Sequence, residues 1–341
     1  MNSCKVSANL LSVGIDVSRD TLMVCEYYND DRKKINEINN SEASIKKLAS
    51  RLKNDNFSGK IIMESTGRHH MLGSIIFSKN KLDTRVINPL ITKKYSSSSI
   101  RKVKTDKRDS EILAEIGIKE RSLPEPFKLD KTGLVLRKKM RLIASLSRQL
   151  QNLSTCANEH KKTLAGLKCK PSSVEEQIFK TITMFKKQKE QLEKELENDI
   201  CNLNEKNNEQ AKKYNSVPGI SPYVASLATL IFSNEYSQSA KQWIAFVGLD
   251  ISVKQSAKWI GEGHLTKRGN DYLRKRFYSA AWGSTMHNEK FKEYYDYLRS
   301  KKNRKHKEAL IIIARKLIAI LFSMHKNDTV YDPIKPLFIT S

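Results

Sequence analysis

From Leu134 to Tyr214 the chain places apolar residues at helical spacing, with only Gly166 and Pro171 to interrupt them. No strand fits such a pattern, so this stretch separates an earlier block of sequence from a later one. Leu142, Leu146, Leu150 and Leu153 line one predicted helix, and Ile178, Ile182, Phe185, Leu192, Leu196 and Ile200 line a second. Gly166–Ser173 supplies the turn between them. Lys, Glu and Gln fill the outer faces, as in an antiparallel coiled coil on which copies of the chain can pair. A chain of 341 residues has room for a domain on either side. The expected organisation is a first domain over 1–126, a helical hairpin over 127–214 and a second domain over 215–341.

The first block reads as α/β. Ser12–Val17 is an apolar strand containing Gly14-Ile15-Asp16, and Thr21–Tyr28 and Lys34–Asn39 follow as an antiparallel continuation. Ser41 opens a helix with Ile45, Leu48 and Leu52 at helical spacing. Lys60–Met63 is a buried strand ending at Glu64, and Thr84–Ile87 is another, closed by Asn88-Pro89. The serine-rich Tyr95–Ile100 reads as a mobile loop. Thr105 then caps a helix carrying Ile112, Leu113 and Ile116.

The last block is mostly helical. Ser216-Val217-Pro218-Gly219-Ile220 precedes a helix from Pro222 through Leu230. A helix–hairpin–helix of this kind suits a nucleic-acid backbone, because the turn at Gly219 offers backbone N–H groups to a phosphate. Beyond it lie Trp243–Leu249, a basic segment over Lys254–Arg276 and an apolar helix over Glu308–Met324. Trp243, Trp259 and Trp282 read as packing residues rather than base-stacking platforms.

Charge narrows the class of partner. Lys and Arg number 62 against 37 Asp and Glu, a net of +25. Such an excess favours a polyanion, whose condensed counterions are released on binding. The five cysteines form no C-x-x-C pair and the histidines no H-E-x-x-H, so thiolate or imidazole metal chemistry is not indicated. Oxygen-ligand Mg²⁺ chemistry stays open. The longest apolar run, Ala309–Phe322, is broken by Arg315 and Lys316, and Met1–Val6 lacks a secretory layout, which predicts a cytoplasmic protein without a membrane.

Carboxylates carry the candidate chemistry. Asp16 and Glu64 stand at strand ends, while Asp106 and Asp109 share one face of a predicted helix. Converging acids repel unless a cation offsets them, and two Mg²⁺ ions would both do so and drive in-line phosphoryl chemistry. Taken singly, each acid also fits a turn or a helix N-terminus.

Three segments together go further. Gly14-Ile15-Asp16-Val17-Ser18, Met63-Glu64-Ser65-Thr66-Gly67 and Lys104-Thr105-Asp106-Lys107-Arg108-Asp109 resemble the motifs of the DEDD transposases of the insertion-sequence-110 family, relatives of the Piv DNA invertases. The resemblance implies a RuvC-like, ribonuclease-H-like first domain with Asp16, Glu64, Asp106 and Asp109 as metal ligands. It implies Mg²⁺, two ions per site, with Mn²⁺ as a substitute. Phe246-Val247-Gly248-Leu249, Gln255-Ser256-Ala257 and Leu265-Thr266-Lys267-Arg268-Gly269-Asn270 resemble the C-terminal transposase domain of the same family. By that resemblance Ser256 is a nucleophile forming a covalent phosphoserine link to DNA. A serine hydroxyl needs such metal or base assistance to attack.

The implied activity is excision and insertion of an insertion sequence in the nucleoid of a prokaryotic cell. Partners would be DNA at the element ends and target, a noncoding bridge RNA, and further copies in a dimer or tetramer. Candidate nucleic-acid contacts are Lys104, Lys107, Arg108, Gly219, Lys254, Lys258, Lys267, Arg268 and Arg274. The alternatives are a Piv-like DNA invertase, a metal-dependent junction-resolving nuclease without a covalent intermediate, and a binding protein without catalysis.

Overall fold

The computed structural model describes residues 9–65, 69–97, 105–232, 239–252, 255–256, 259–260 and 263–334; at 90, 94, 96–97, 255–256 and 259–260 it describes the backbone alone. Two compact units divide at Asp130: Met1–Asp130 and Lys131–Ser341.

In the first unit, β1 (Leu10–Val17), β2 (Thr21–Tyr28) and β3 (Lys33–Asn39) form an antiparallel meander. The chain then crosses through α1 (Glu42–Asn54) to β4 (Lys60–Glu64), parallel to β1, and through α2 (His70–Lys79) to β5 (Thr84–Ile87), parallel to β4. The five-stranded order is β3-β2-β1-β4-β5. Next come α3 (Pro89–Ser97) and α4 (Asp106–Lys119). The period-2 alternation of the strands sorts side chains to two faces. Val13, Ile15, Val17, Ile61 and Met63 pack with Ile45, Leu48 and Leu52 of α1 and with Phe77 of α2. Ile62 faces the other way, against Ile112, Leu113 and Ile116 of α4. Helices on both faces explain why β1 and β4 are apolar almost throughout.

The second unit is helical, with one ribbon. Its helices are α5 (Lys131–Gly166), α6 (Ser173–Cys201), α7 (Glu205–Asn215), α8 (Pro222–Phe232) and α9 (Ala240–Val247). Short strands follow: β6 (Ile251–Ser252), β7 (Gln255–Ser256), β8 (Trp259–Ile260) and β9 (His264–Leu265). The chain closes with α10 (Asp271–His287), α11 (Glu289–Ser300) and α12 (His306–Asn327). The core gathers on Trp243, fully buried and stacked on Phe232 at 3.9 Å, with Phe277, Leu317, Ile318 and Leu321 around it. Each such side chain contributes roughly 1.5–3 kcal/mol by leaving water. The apolar stripe of α12 packs into this core.

Several expectations need correction. The stretch to Tyr214 is not one hairpin: α6 ends at Cys201, and α7, capped by Asn204, packs instead against α8. Leu142, Leu153, Ile178 and Phe185 were expected along the helix seam, yet they are about half exposed, whereas Leu150, Ile182, Leu196 and Ile200 are buried. Two helices bury only the narrow stripe between them, and apolar residues off that stripe face outward. Tyr95–Ser97, read as loop, is the end of α3. Residues 98–100 lie outside the described residues.

Candidate active site

α4 lies antiparallel across β1, and glycines set how close it comes. A Cβ at Gly14 would fall 2.2 Å from both the Ala114 nitrogen and the Ser110 oxygen, all backbone. One at Gly117 would fall 2.2 Å from Ser12 Oγ. No side chain fits at either place, so α4 can rest on the strand only because both are glycine. Ser12, Gly14 and Asp16 alternate onto this same face of β1. The contact therefore delivers the first turn of α4 to the carboxyl end of β1, where Asp16 stands.

Each acid has a local reason for its place. Asp16 is the penultimate residue of β1, half-buried, and its Oδ1 accepts the Val17 N–H at 3.0 Å. Glu64 closes the adjacent parallel strand β4, where Ile15 pairs with Met63. Thr105 caps α4 by accepting the Arg108 N–H at 3.3 Å, which fixes Asp106 and Asp109 in the first turn. Both also suit the positive end of the helix dipole there. Asn40 braces the site from the side: its Nδ2 donates to the carbonyls of Ser18, Arg19 and His69 at 3.0, 3.4 and 3.3 Å. Those segments follow Asp16 and Glu64 respectively, so Asn40 ties them together, a link that sequence reasoning missed. An asparagine between a strand and a helix cap looks like any turn residue.

The electrostatics bind the acids into one field. Burial pushes the Asp16 carboxyl up to about 6, and the negative charges of Asp106, Asp109 and Glu64 add to the rise, against a lowering by the Val17 N–H. Four carboxylates without Cys or His are hard oxygen donors, a chemistry that fits Mg²⁺ rather than zinc. As placed, the side chains do not close on a point: among the described residues no group of three or more His, Cys, Asp or Glu stands ready to hold an ion.

The remaining expected contacts are scattered. Lys104, Lys254 and Lys258 lie outside the described residues. Lys107 is exposed on α4, and Arg108 ion-pairs with Glu111 at 2.7 Å. Gly219 has φ +84° and sits so close to α10 that a Cβ would fall 2.4 Å from the Ala280 oxygen. Its glycine thus serves packing, in addition to any exposed turn. Lys267 and Arg268 are exposed before α10, while Arg274 donates to the Val247 carbonyl at 3.2 Å and so is partly engaged by the end of α9.

Ser256 occupies β7, its backbone paired with Trp259 of β8, and β6 pairs with β9 in a second two-stranded ladder. The base of this ribbon is closed by backbone. Gly248, at φ +77°, ends α9, and a Cβ on Gly269 would fall 2.2 Å from the Phe246 oxygen. The Asn270 N–H donates to that same oxygen at 2.9 Å, and the Thr266 hydroxyl donates to Asp250. The glycines of Val247-Gly248-Leu249 and Arg268-Gly269-Asn270 thus face each other across the ribbon's base.

Comparison with known proteins decides the family. Residues 13–166 match the DEDD transposase domain of IS110, and residues 211–296 match the transposase IS116/IS110/IS902 family; together they span more than half of the chain. The chain belongs to the IS110 family of transposases. Asp16, Glu64, Asp106 and Asp109 lie within the first matched segment, and the ribbon with Ser256 within the second. A relative from Streptomyces coelicolor, an insertion element IS110 uncharacterized 43.6 kDa protein, is 26% identical over 122 residues, 36% of this chain and 30% of that protein. The alignment thus spans less than a third of that relative's length. No helix among the described residues of this IS110-family chain is long and apolar enough to cross a membrane.

Proposed function

We propose that the chain cleaves and rejoins DNA strands as a transposase of an insertion sequence, with a RuvC-like first unit and a serine nucleophile in the second. The strand order 3-2-1-4-5, antiparallel then parallel, supports the ribonuclease-H-like reading. The observation that supports the active site is the placement of Asp16 at the carboxyl end of the central strand β1, beside the end of β4 and the first turn of α4, where burial and the charges of Asp106, Asp109 and Glu64 raise its carboxyl to about 6. Asp16, Glu64, Asp106 and Asp109 would hold Mg²⁺, two ions per site, with Mn²⁺ as a substitute. When bound, the metal supplies Lewis-acid stabilisation of the entering and leaving oxygens of an in-line displacement.

Ser256 Oγ attacks a phosphodiester phosphorus, giving up its proton. The Oγ–P bond forms as the bond to the 3′ oxygen breaks, and that oxygen takes up a proton. Because a phosphodiester replaces a phosphodiester, the reverse attack by another 3′ hydroxyl rejoins strands without ATP. Lys267 and Arg268, exposed at the ribbon's base, hold neighbouring phosphates. A bridge RNA pairing with donor and target would supply sequence choice, leaving the protein to read backbone and shape. Exchange of paired strands calls for several serines, hence a dimer or tetramer acting on DNA in the nucleoid.

A covalent-trapping experiment tests this. Protein, Mg²⁺, the element's RNA and labelled junction DNA are mixed, denatured and resolved for a protein–DNA adduct. The expected result is an adduct lost in both Ser256→Ala and Asp16→Ala. Cleavage that persists in Ser256→Ala without any adduct overturns the serine in favour of water attack.

A further inference from the structure

A cleft of about 400 Å³ opens within the second unit between α5, α6 and α10, away from the ribbon's strands in sequence. The charged side chains in its lining are mostly cationic: Lys186 and Lys189 from α6, and Lys275 and Arg276 from α10. Glu190 is the acid on its wall. Ser147 and Ser154 of α5 also line it, and the hydroxyl oxygen of each is buried without a hydrogen-bond partner.

Under the cleft the side chains are locked. Arg276 ion-pairs with Glu193, stands over the rings of Tyr223 and Tyr272 at 5.2 and 4.9 Å, and donates to Tyr272 Oη at 2.8 Å. The Tyr272 hydroxyl also bonds Glu193 at 3.0 Å and the Tyr223 hydroxyl at 3.0 Å. Lys189 reaches Glu193 at 3.3 Å. Glu193 is thereby neutralised by Arg276 and Lys189, leaving Lys186 and Lys275 to set the field at the mouth against Glu190. Lys275 bonds only the neutral amide oxygen of Gln151 among the described residues, and Lys186 has no ion-pair partner there.

Buried hydroxyls without partners are destabilising, on the order of 1–3 kcal/mol each, and an arriving acceptor relieves that penalty. Acceptor oxygens bearing negative charge satisfy the hydroxyls and the lysines at once. The open shape suits a chain passing through rather than a molecule enclosed. We propose that this cleft binds the phosphodiester backbone of a nucleic-acid strand, through residues other than the four acids and Ser256. The proposal rests on the reading of the chain as a nucleic-acid enzyme.

The test is anisotropy titration of the full chain with a labelled DNA duplex and, in a second arm, a labelled RNA hairpin, over a range of salt, with inorganic phosphate as competitor in a third. Lys186→Gln/Lys275→Gln should weaken binding in at least one nucleic-acid arm about tenfold or more. It should also reduce the slope of log affinity against log salt by about two, one for each phosphate no longer neutralised. Ser147→Ala/Ser154→Ala should weaken the same arm without changing the slope. Lys292→Gln/Lys301→Gln, which removes two exposed charges on and beside α11, should leave that arm within about twofold. The arm affected names the strand. Wild-type binding with unaltered affinity and slope in the cleft variant overturns the cleft alone. Competition by phosphate without loss of either strand assigns the cleft to a free anion and overturns the strand. No binding of either nucleic acid by the wild-type chain overturns both the cleft and the function it rests on.

Discussion

Asp16 concentrates the chemistry of the first unit in a single titration. Its carboxyl is raised from 3.8 to about 6, chiefly by burial and then by Asp106 and Asp109. A group raised in the folded state adds stability below its unfolded value, and that contribution disappears as pH climbs through the folded one. Without divalent cations the protein should therefore lose stability between about pH 4 and pH 6 through this residue. Asp16→Asn removes that loss, so thermal melts in chelator at pH 7.5 should place the variant at or above the wild type. Mg²⁺ should then raise the wild-type Tm by more than the variant's; equal shifts would detach Asp16 from the cation. The places of these acids in the fold were legible because their signals are local: a strand end, a neighbouring strand end, and a Thr105 cap three residues before Arg108. The role of Gly14 was not legible, because nothing near it in sequence announces the helix that will press on it. Trp282 was read as packing, yet it is 46% exposed, edge-on to His306 at 4.9 Å.

At the level of elements, close backbone approach decides more than propensity does. Gly14→Ala sets a methyl against the backbone of α4, which cannot rotate away as a side chain would. We expect a cost of about 1–3 kcal/mol in denaturant unfolding and a larger relative loss of strand cleavage, since α4 shifts with its two acids. Gly166→Ala offers the contrast. A Cβ there meets nothing within 4 Å at the last residue of α5, so stability should hold or rise by about 0.5–1 kcal/mol. Equal destabilisation by both substitutions would refute the role given to the helix–strand contact. The strands and capped helices were legible from period and caps. α2 was not, because His70–Lys79 is apolar on several sides and shows no one-sided stripe. The hairpin's exposed Ile178 and Phe185 show the converse failure, since helical spacing alone does not say which apolar residue meets the partner helix.

Over the whole molecule, the net charge of +25 predicts how binding responds to salt. If six or more phosphates are covered, affinity for a DNA duplex should fall on the order of a thousandfold between about 50 and 200 mM salt. A shallow dependence in the same titration would show that the basic residues are engaged within the protein. The sequence pattern set the hairpin apart from the helices after it, yet the two share one core. Leu136, Met140 and Ile143 lie far in sequence from the Trp243 core they join, and such long-range packing leaves no periodic trace. The antiparallel seating of α4 on β1 also has a consequence in time. Synthesis delivers Asp16 first, Glu64 later and the remaining two acids last, on a helix that ends at Lys119. A ribosome-bound chain that has released only the meander holds one of the four acids, Asp16. The four acids are therefore gathered only when α4 docks, after the strands it rests on have been made.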